Sequence, residues 1–321
     1  MHDAHLSFII HYFLNRALKN KEEPAKFQIM TGRKLNHKNG YLILILLILS
    51  SSVSHGNDSN EIPSFYQPLV YRLSQDGFDF EFLSKLFTDP RAEFIPAMTT
   101  ISLYSNEFPE RYHQFLSPES IFLSKTFLRH HLKTLSQMEK RFHVEKEVTV
   151  AILLVESRFG ENIGKYRVIP TLASLALMDS PESLLKNYLA LQEIDAELSY
   201  EWMEGLAKKK AAWAYQELKC FLNIVWHEKI NPLEVYGSTA GALGLAQFIP
   251  SSYLAYAMNK KGFENWLLSR DEAIFSIGNY LKSHGWKKNL SLAKKKQILW
   301  YYNRSEPYVE TVLKVAQKIR P

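Results

Sequence analysis

Three short segments hold residue types whose spacing supports chemistry. The first is Val148–Gly160, VTVAILLVESRFG, which carries Glu156 four residues before a glycine at the end of a strongly apolar run. A carboxylate in the last turn of a helix faces the negative end of the dipole, and apolar neighbours exclude water. Both effects favour the protonated form that a general acid needs near neutral pH. The same glutamate could instead be an exposed terminal residue paired with Arg158 or Lys165. The second segment is Gly237–Tyr253, GSTAGALGLAQFIPSSY, where glycines and alanines let backbone approach backbone or a ligand closely. Within it, Ser238 and Gln247 offer hydrogen bonds to a sugar hydroxyl or an acetamido group, or merely satisfy a tight helix crossing. The third is Trp300–Ser305 with Tyr308 beyond. Tyr302, Asn303 and Tyr308 set ring faces beside an amide, which suits either a carbohydrate cleft or a buried aromatic cluster.

The elements that hold these residues read as helices. Val148, Ala151, Ile152 and Val155 follow i, i+3, i+4, i+7, one apolar helix face. Ile274, Ile277 and Leu281 repeat the pattern ahead of Gly285, a C-terminal cap. Pro250-Ser251-Ser252 opens another helix. Strict alternation over five or more residues is hard to find, so the expected class is all-α or mainly α. The lysine runs 208–210 and 294–296 read as solvated helix faces.

Other chemistries lack their signatures. The eleven histidines form no HExxH, the glycines no GxGxxG or phosphate-binding loop, and no GxSxG marks a serine nucleophile. No metal or cofactor is expected, and no nucleic-acid signature accompanies the basic residues. Cys220 is the one cysteine, which excludes an intramolecular disulfide and a cysteine-based zinc site.

Residues 41–53, YLILILLILSSSV, form a 13-residue run preceded by Arg33, Lys34 and Lys38, the layout of a secretory signal peptide. It is short of the roughly 20 residues that span a bilayer. Cleavage after Ser54 and a translation start at Met30 are expected, with residues 1–54 an extension and signal peptide. Residues 55–321 are expected to form a single domain, catalytic if the three segments act together, with a helical N-terminal part. The whole chain has 321 residues and a formal net charge of +6. The seven Lys/Arg and three Asp/Glu of residues 1–54 supply most of that excess; the remaining 267 residues hold 32 basic and 30 acidic groups, net +2. A global attraction to an anionic polymer therefore explains little.

In combination the three segments resemble the lytic murein transglycosylases, specifically the B family (glycoside hydrolase family 103). The resemblance rests on Glu156-Ser157, GLAQFIP at 244–250 and Tyr302-Asn303, in that order. It also rests on GENIGKYRVIPTLASLA at 160–176 and DEAIFSIGNYLKSHGW at 271–286. It implies a lysozyme-like transglycosylase fold with additional helices, and Glu156 as sole acid/base. It further implies that Ser238, Gln247, Tyr302, Asn303 and Tyr308 line a saccharide cleft. The implied substrate is the glycan strand of peptidoglycan, cut between N-acetylmuramic acid and N-acetylglucosamine to leave a 1,6-anhydromuramyl end. A hydrolytic muramidase and a catalytically silent wall-binding protein are the alternatives.

The chain departs from the family in several places. No cysteine stands directly after the apolar run, so a periplasmic protein without lipid or stable membrane anchor is expected. MNKKGFENWLLSRDEA lacks the oxygen ligands of the calcium loop that some members carry. Lys209-Lys210 stand where better-known members have two arginines, and residues 179–207 look like a helical insertion.

Overall fold

The computed structural model describes residues 61–104, 109–258 and 262–320. The signal-peptide reading falls outside those residues. The fold is mainly α, as the periodicity predicts. In chain order the helices are α1 (Gln67–Gln75), α2 (Phe80–Thr88), α3 (Pro96–Tyr104), α4 (Pro118–His130), α5 (Leu132–Phe142), α6 (Lys146–Ser157) and α7 (Val168–Ala176). They continue with α8 (Pro181–Gln192), α9 (Tyr200–Glu228), α10 (Pro250–Tyr256), α11 (Phe263–Leu268), α12 (Arg270–Ser283), α13 (Leu292–Tyr302) and α14 (Glu306–Lys318). Short 3₁₀ turns join several of them.

Local chemistry starts these helices where the chain needs them. Ser117, Ser180, Ser199, Ser269, Ser291 and Ser305 each accept a hydrogen bond from a first-turn backbone N–H of the helix they precede. Each such cap contributes about 1 kcal/mol. Proline follows at the first or second helical position of α4, α8, α10 and α14, where a missing N–H costs nothing. At the far end of α12, Gly285 takes φ +95° in the position expected for a C-terminal cap.

Helix α6 is the centre of the molecule. The sequence pattern predicts one apolar face, but all of Glu147–Leu154 is buried. The reason is that α4, α5, α12 and α14 all pack against it, so every side needs apolar side chains. Each fully buried Leu, Ile or Val stabilises by about 1.5–3 kcal/mol as an upper bound. Helix α9 forms a second axis, packed along α7 and against α10. The only strands among the described residues are β1 (Tyr166–Arg167) and β2 (Tyr236–Gly237), antiparallel with Tyr166 opposite Gly237.

The lysine runs divide between surface and interior, correcting the reading of both as solvated faces. Lys208 pairs with Glu204 at 2.9 Å on the surface, whereas Lys210 turns inward and donates to the Ser102 carbonyl at 2.7 Å. Lys295 reaches Glu145, and Lys296 pairs with Glu310. The segment 179–207 consists of α8, a turn and the start of α9, which runs on to Glu228 as one helix. No helix among the described residues is long and apolar enough to cross a membrane.

Candidate active site

Glu156 occupies the last turn of α6, half-buried. The helix stops because Arg158 and Phe159 take left-handed conformations (φ 49° and 60°) and Gly160 follows at φ 103°. Two consecutive bulky residues at positive φ are strained, and such strain persists only where surroundings impose it. Here Phe159 stacks on Phe127 at 4.3 Å and 15°, while Arg158 pairs with Glu119 at 2.6 Å and Glu161 at 2.8 Å. Arg158 is thus committed to those two carboxylates. Lys165 places its ammonium over the Tyr166 ring, 5.7 Å from the centroid. Both cations that stand beside Glu156 in the sequence thus have partners of their own.

Ser157 links this turn to the second segment. Its hydroxyl donates to the Leu245 carbonyl at 2.8 Å and accepts from Gly160 N–H at 3.2 Å. Leu245 lies in a tight loop closed by Leu243 and Phe248, which exchange backbone hydrogen bonds of 2.8 and 3.2 Å. Gln247, at φ 47°, projects from that loop. Its Nε2 donates to Gly244 O at 2.7 Å and to Ile163 O at 3.2 Å. Both amide protons are therefore used, and Gln247 can serve a ligand only as an acceptor through Oε1. The Ser238 hydroxyl accepts from the N–H groups of Ala240 and Ala242, each at 3.1 Å, which leaves its proton for a ligand. The chain around Ser238 meets the post-Glu156 segment at close range. A Cβ on Gly164 would lie 2.0 Å from the Gly237 carbonyl carbon.

The third segment brings two phenols within electrostatic reach of the Glu156 carboxylate. Tyr302 donates to Ala246 O at 2.6 Å and stacks parallel to Tyr308, with ring centroids 6.3 Å apart. Tyr308 is 1% exposed, and its hydroxyl completes no hydrogen bond of good geometry among the described residues. Burial first and the Glu156 carboxylate second push both phenols well above their usual pKa, with Glu156 also acting on Tyr308 as a hydrogen-bonding neighbour. Both tyrosines thus stay protonated at neutral pH. Asn303 ends α13, with its N–H on Leu299 O and its own carbonyl accepting from Ser305 N–H. Tyr302 and Tyr308 therefore lie within electrostatic reach of the Glu156 carboxylate, Gln247 is tied to the Glu156 turn through Ser157 and Leu245, and Ser238 and Asn303 are held by backbone bonds.

Three contributors are not legible from motifs. Tyr112, in the 3₁₀ segment Pro109–Leu116, packs edge-on against Tyr308 at 6.4 Å. Glu217, 4% exposed within α9, accepts from the N–H and hydroxyl of Ser251 at 2.9 and 2.8 Å, so it holds the helix that follows Gln247. Tyr280 packs edge-on against Tyr302 at 4.8 Å and donates to Tyr301 O. Nothing in their local sequence distinguishes them from ordinary core residues. A separate cavity of about 870 Å³ lies between the N-terminal helices and α8, lined by none of the predicted site residues. No group of three or more His, Cys, Asp or Glu suited to a metal ion occurs among the described residues.

The transglycosylase SLT domain profile matches residues 62–297. The chain belongs to that family. The match spans Glu156, Ser238 and Gln247 and stops short of Tyr302, Asn303 and Tyr308. Membrane-bound lytic murein transglycosylase B of Escherichia coli K12 is 26% identical over 298 residues, 88% of this chain and 72% of that protein. The crystal structure of soluble lytic transglycosylase SltB1 from Pseudomonas aeruginosa superposes with a TM-score of 0.63 and 24% identity, covering 80% of this chain and 98% of that one. SltB3 from the same organism, solved with NAG-anhNAM-pentapeptide, gives 0.57 and 20%, covering 79% and 78%. The lysozyme-like transglycosylase fold expected from the resemblance is thus the one observed.

Proposed function

We propose that this SLT-family protein is a peptidoglycan lytic transglycosylase, with Glu156 as its single acid/base. The observation that carries the reading is that Tyr302 and Tyr308, stacked on each other, lie within electrostatic reach of the Glu156 carboxylate, which helps hold both phenols protonated. Its relatives' names support the substrate: one is a murein transglycosylase, and another was crystallised with an anhydromuramyl fragment.

Ordinary glycosidases use two carboxyl groups. Here the sugar supplies what a second one would. Glu156 gives its proton to the glycosidic oxygen as the bond to C1 of N-acetylmuramic acid breaks. The neighbouring acetamido oxygen stabilises the cationic C1. The Glu156 carboxylate then takes the proton of the C6 hydroxyl as O6 bonds to C1, so the acid is regenerated and the 1,6-anhydro ring closes. The Tyr302 proton is already used on Ala246 O, so the Tyr308 hydroxyl is the phenol available to steady the ionised Glu156 between the two steps. Gln247 Oε1 accepts from a sugar hydroxyl or N–H, the Ser238 hydroxyl donates, and Asn303 serves the substituents at the end of the cleft. Export into the periplasm through the apolar run 41–53 would bring the enzyme to this substrate.

The test is digestion of purified sacculi by Glu156→Gln with mass analysis of the products. The wild-type protein should release anhydromuropeptides, one water lighter than reducing-end fragments, and the variant none above background. Full retained turnover would sink the assignment. Reducing ends from the wild type would make it a hydrolase, and binding without release a wall-binding protein.

A further inference from the structure

Between Glu272 and Glu306 the sequence holds seven Lys/Arg and no Asp or Glu, whereas the 267 residues after Ser54 carry a net charge of only +2. Positive charge is thus concentrated on the end of α12, on α13 and on the loops that flank α13. Lys295 and Lys296 are matched by Glu145 and Glu310, and Glu306 lies within electrostatic reach of Lys296. The other five cations are exposed and form no ion pair among the described residues.

One face of α13 orders this surface. Lys294, Gln297 and Tyr301 stand at i, i+3 and i+7, in line along about 10 Å of helix. Lys294 Nζ donates to Gln297 Oε1 at 3.0 Å, and Gln297 Nε2 donates to the Tyr301 hydroxyl at 3.3 Å. All three side chains are exposed, Tyr301 by 49%, and the Tyr301 hydroxyl keeps its own proton for a ligand. Aromatic rings carry this face on to the candidate active site. Tyr301 lies 5.5 Å from His284, which stacks on Tyr280 at 4.1 Å, and Tyr280 packs edge-on against Tyr302. His284 Nδ1 is 2.8 Å from the Tyr280 carbonyl. A carbonyl can only accept, so Nδ1 carries the proton of the neutral ring and Nε2 is an acceptor. Tyr256, from the helix that follows Gln247, closes on the same rings, 5.3 Å from His284. Exposed rings beside hydrogen-bonding groups suit the faces and hydroxyls of sugars, and unpaired cations suit carboxylates.

We propose that the Lys294–Gln297–Tyr301 face, together with His284, is a remote substrate subsite that holds the peptidoglycan strand beyond the bond at Glu156, with a sugar ring on Tyr301 and a stem-peptide carboxylate on Lys294. This assignment rests on the peptidoglycan reading above. The strand suits the surface in both of its parts: its sugars match the rings that run on from Tyr302, and its peptide stems end in carboxylates that match the unpaired cations. Charge that is negligible over the whole chain is thus placed where the strand leaves the catalytic turn.

The test compares Tyr301→Ala and Lys294→Glu with the wild-type full chain, by sedimentation with purified sacculi and by turnover of a soluble tetrasaccharide and of long glycan strands with and without stems. Tyr301→Ala should raise KM for long strands about tenfold, with kcat and tetrasaccharide turnover unchanged. Lys294→Glu should raise KM at least about threefold for strands that keep their stems and leave stem-free strands unaffected. That difference should vanish in about 1 M salt. Both variants should sediment less with sacculi. Glutamate three residues after the Ser291 cap suits the start of α13, so the second variant does not endanger the fold. Wild-type KM and sedimentation in both variants, an equal loss on the tetrasaccharide, or a Lys294→Glu defect that persists on stem-free strands would each overturn the subsite. A wild-type chain that sediments with sacculi but releases no anhydromuropeptides would overturn the catalytic reading instead, and the sedimentation of the two variants would still decide the subsite.

Discussion

The Ser157 hydroxyl donates to the Leu245 carbonyl at 2.8 Å, so the residue after the candidate acid is bonded to the residue two before Gln247. This one bond sets the distance between the helix that ends in Glu156 and the loop that presents Gln247. Ser157→Ala leaves the Leu245 carbonyl without this donor and Gly160 N–H without its acceptor. Urea unfolding should show a loss of about 1–3 kcal/mol. Muropeptide release should fall at least about tenfold even where the protein is fully folded, because near-attack geometry tolerates little displacement.

Tyr302 and Tyr308 stack in parallel yet use their hydroxyls differently, and single Phe substitutions separate the two uses. Tyr302→Phe strands the Ala246 carbonyl and should cost about 1–2 kcal/mol of stability. Tyr308→Phe removes a buried hydroxyl that completes no good bond, so thermal unfolding should be unchanged or slightly later. Turnover of sacculi by Tyr308→Phe should nevertheless drop about tenfold or more, the scale of one lost hydrogen bond to an ionised group.

Gly164 tests the crossing that brings Ser238 towards the Glu156 side. Its φ is +96°, and an added Cβ would meet the Gly237 backbone at 2.0 Å. Gly164→Ala should destabilise by about 3 kcal/mol or more through overpacking and left-handed strain together. Circular dichroism melts would reveal it. A melting curve superimposable on wild type would show that the crossing is looser than described.

Glu145, just before α6, ties that helix to α13. Burial pushes its carboxyl up, but hydrogen bonds from Lys295 and from the Trp286 indole N–H (2.7 Å) pull it further down, leaving it below its ordinary 4.5. A depressed folded-state pKa means the stabilisation is present above about pH 4.5 and is lost as pH falls through the folded value. Glu145→Gln should therefore narrow its stability gap to wild type as pH drops below 4.5, measured by denaturant titration at successive pH values.

Much of the helical framework was legible in the residues. Serine caps, prolines at first turns and apolar spacing announce α10 and α12 close to where they stand. The burial of α6 on all sides was not, because i, i+3, i+4 spacing describes the contact with one neighbour and says nothing of four. At the site, Glu156 and Gln247 stand out by their settings, but the commitment of both Gln247 amide protons to Ile163 and Gly244 depends on a loop conformation that no residue pattern encodes. Tyr112 is brought in by tertiary packing from 44 residues before Glu156. Arg158 and Phe159 carry no hint of positive φ, since neither residue type favours it.

Those two residues have a consequence for anyone seeking a hardier enzyme. Left-handed conformations of this kind cost of order 1–3 kcal/mol each, a sizeable part of a typical folding free energy. Glycine at either position would relax the backbone, yet it would also delete the stack on Phe127 or the twin ion pairs that aim the turn carrying Glu156. Thermal robustness and turnover therefore pull in opposite directions at this corner, and selection for heat resistance alone should yield variants that are sturdier and slower.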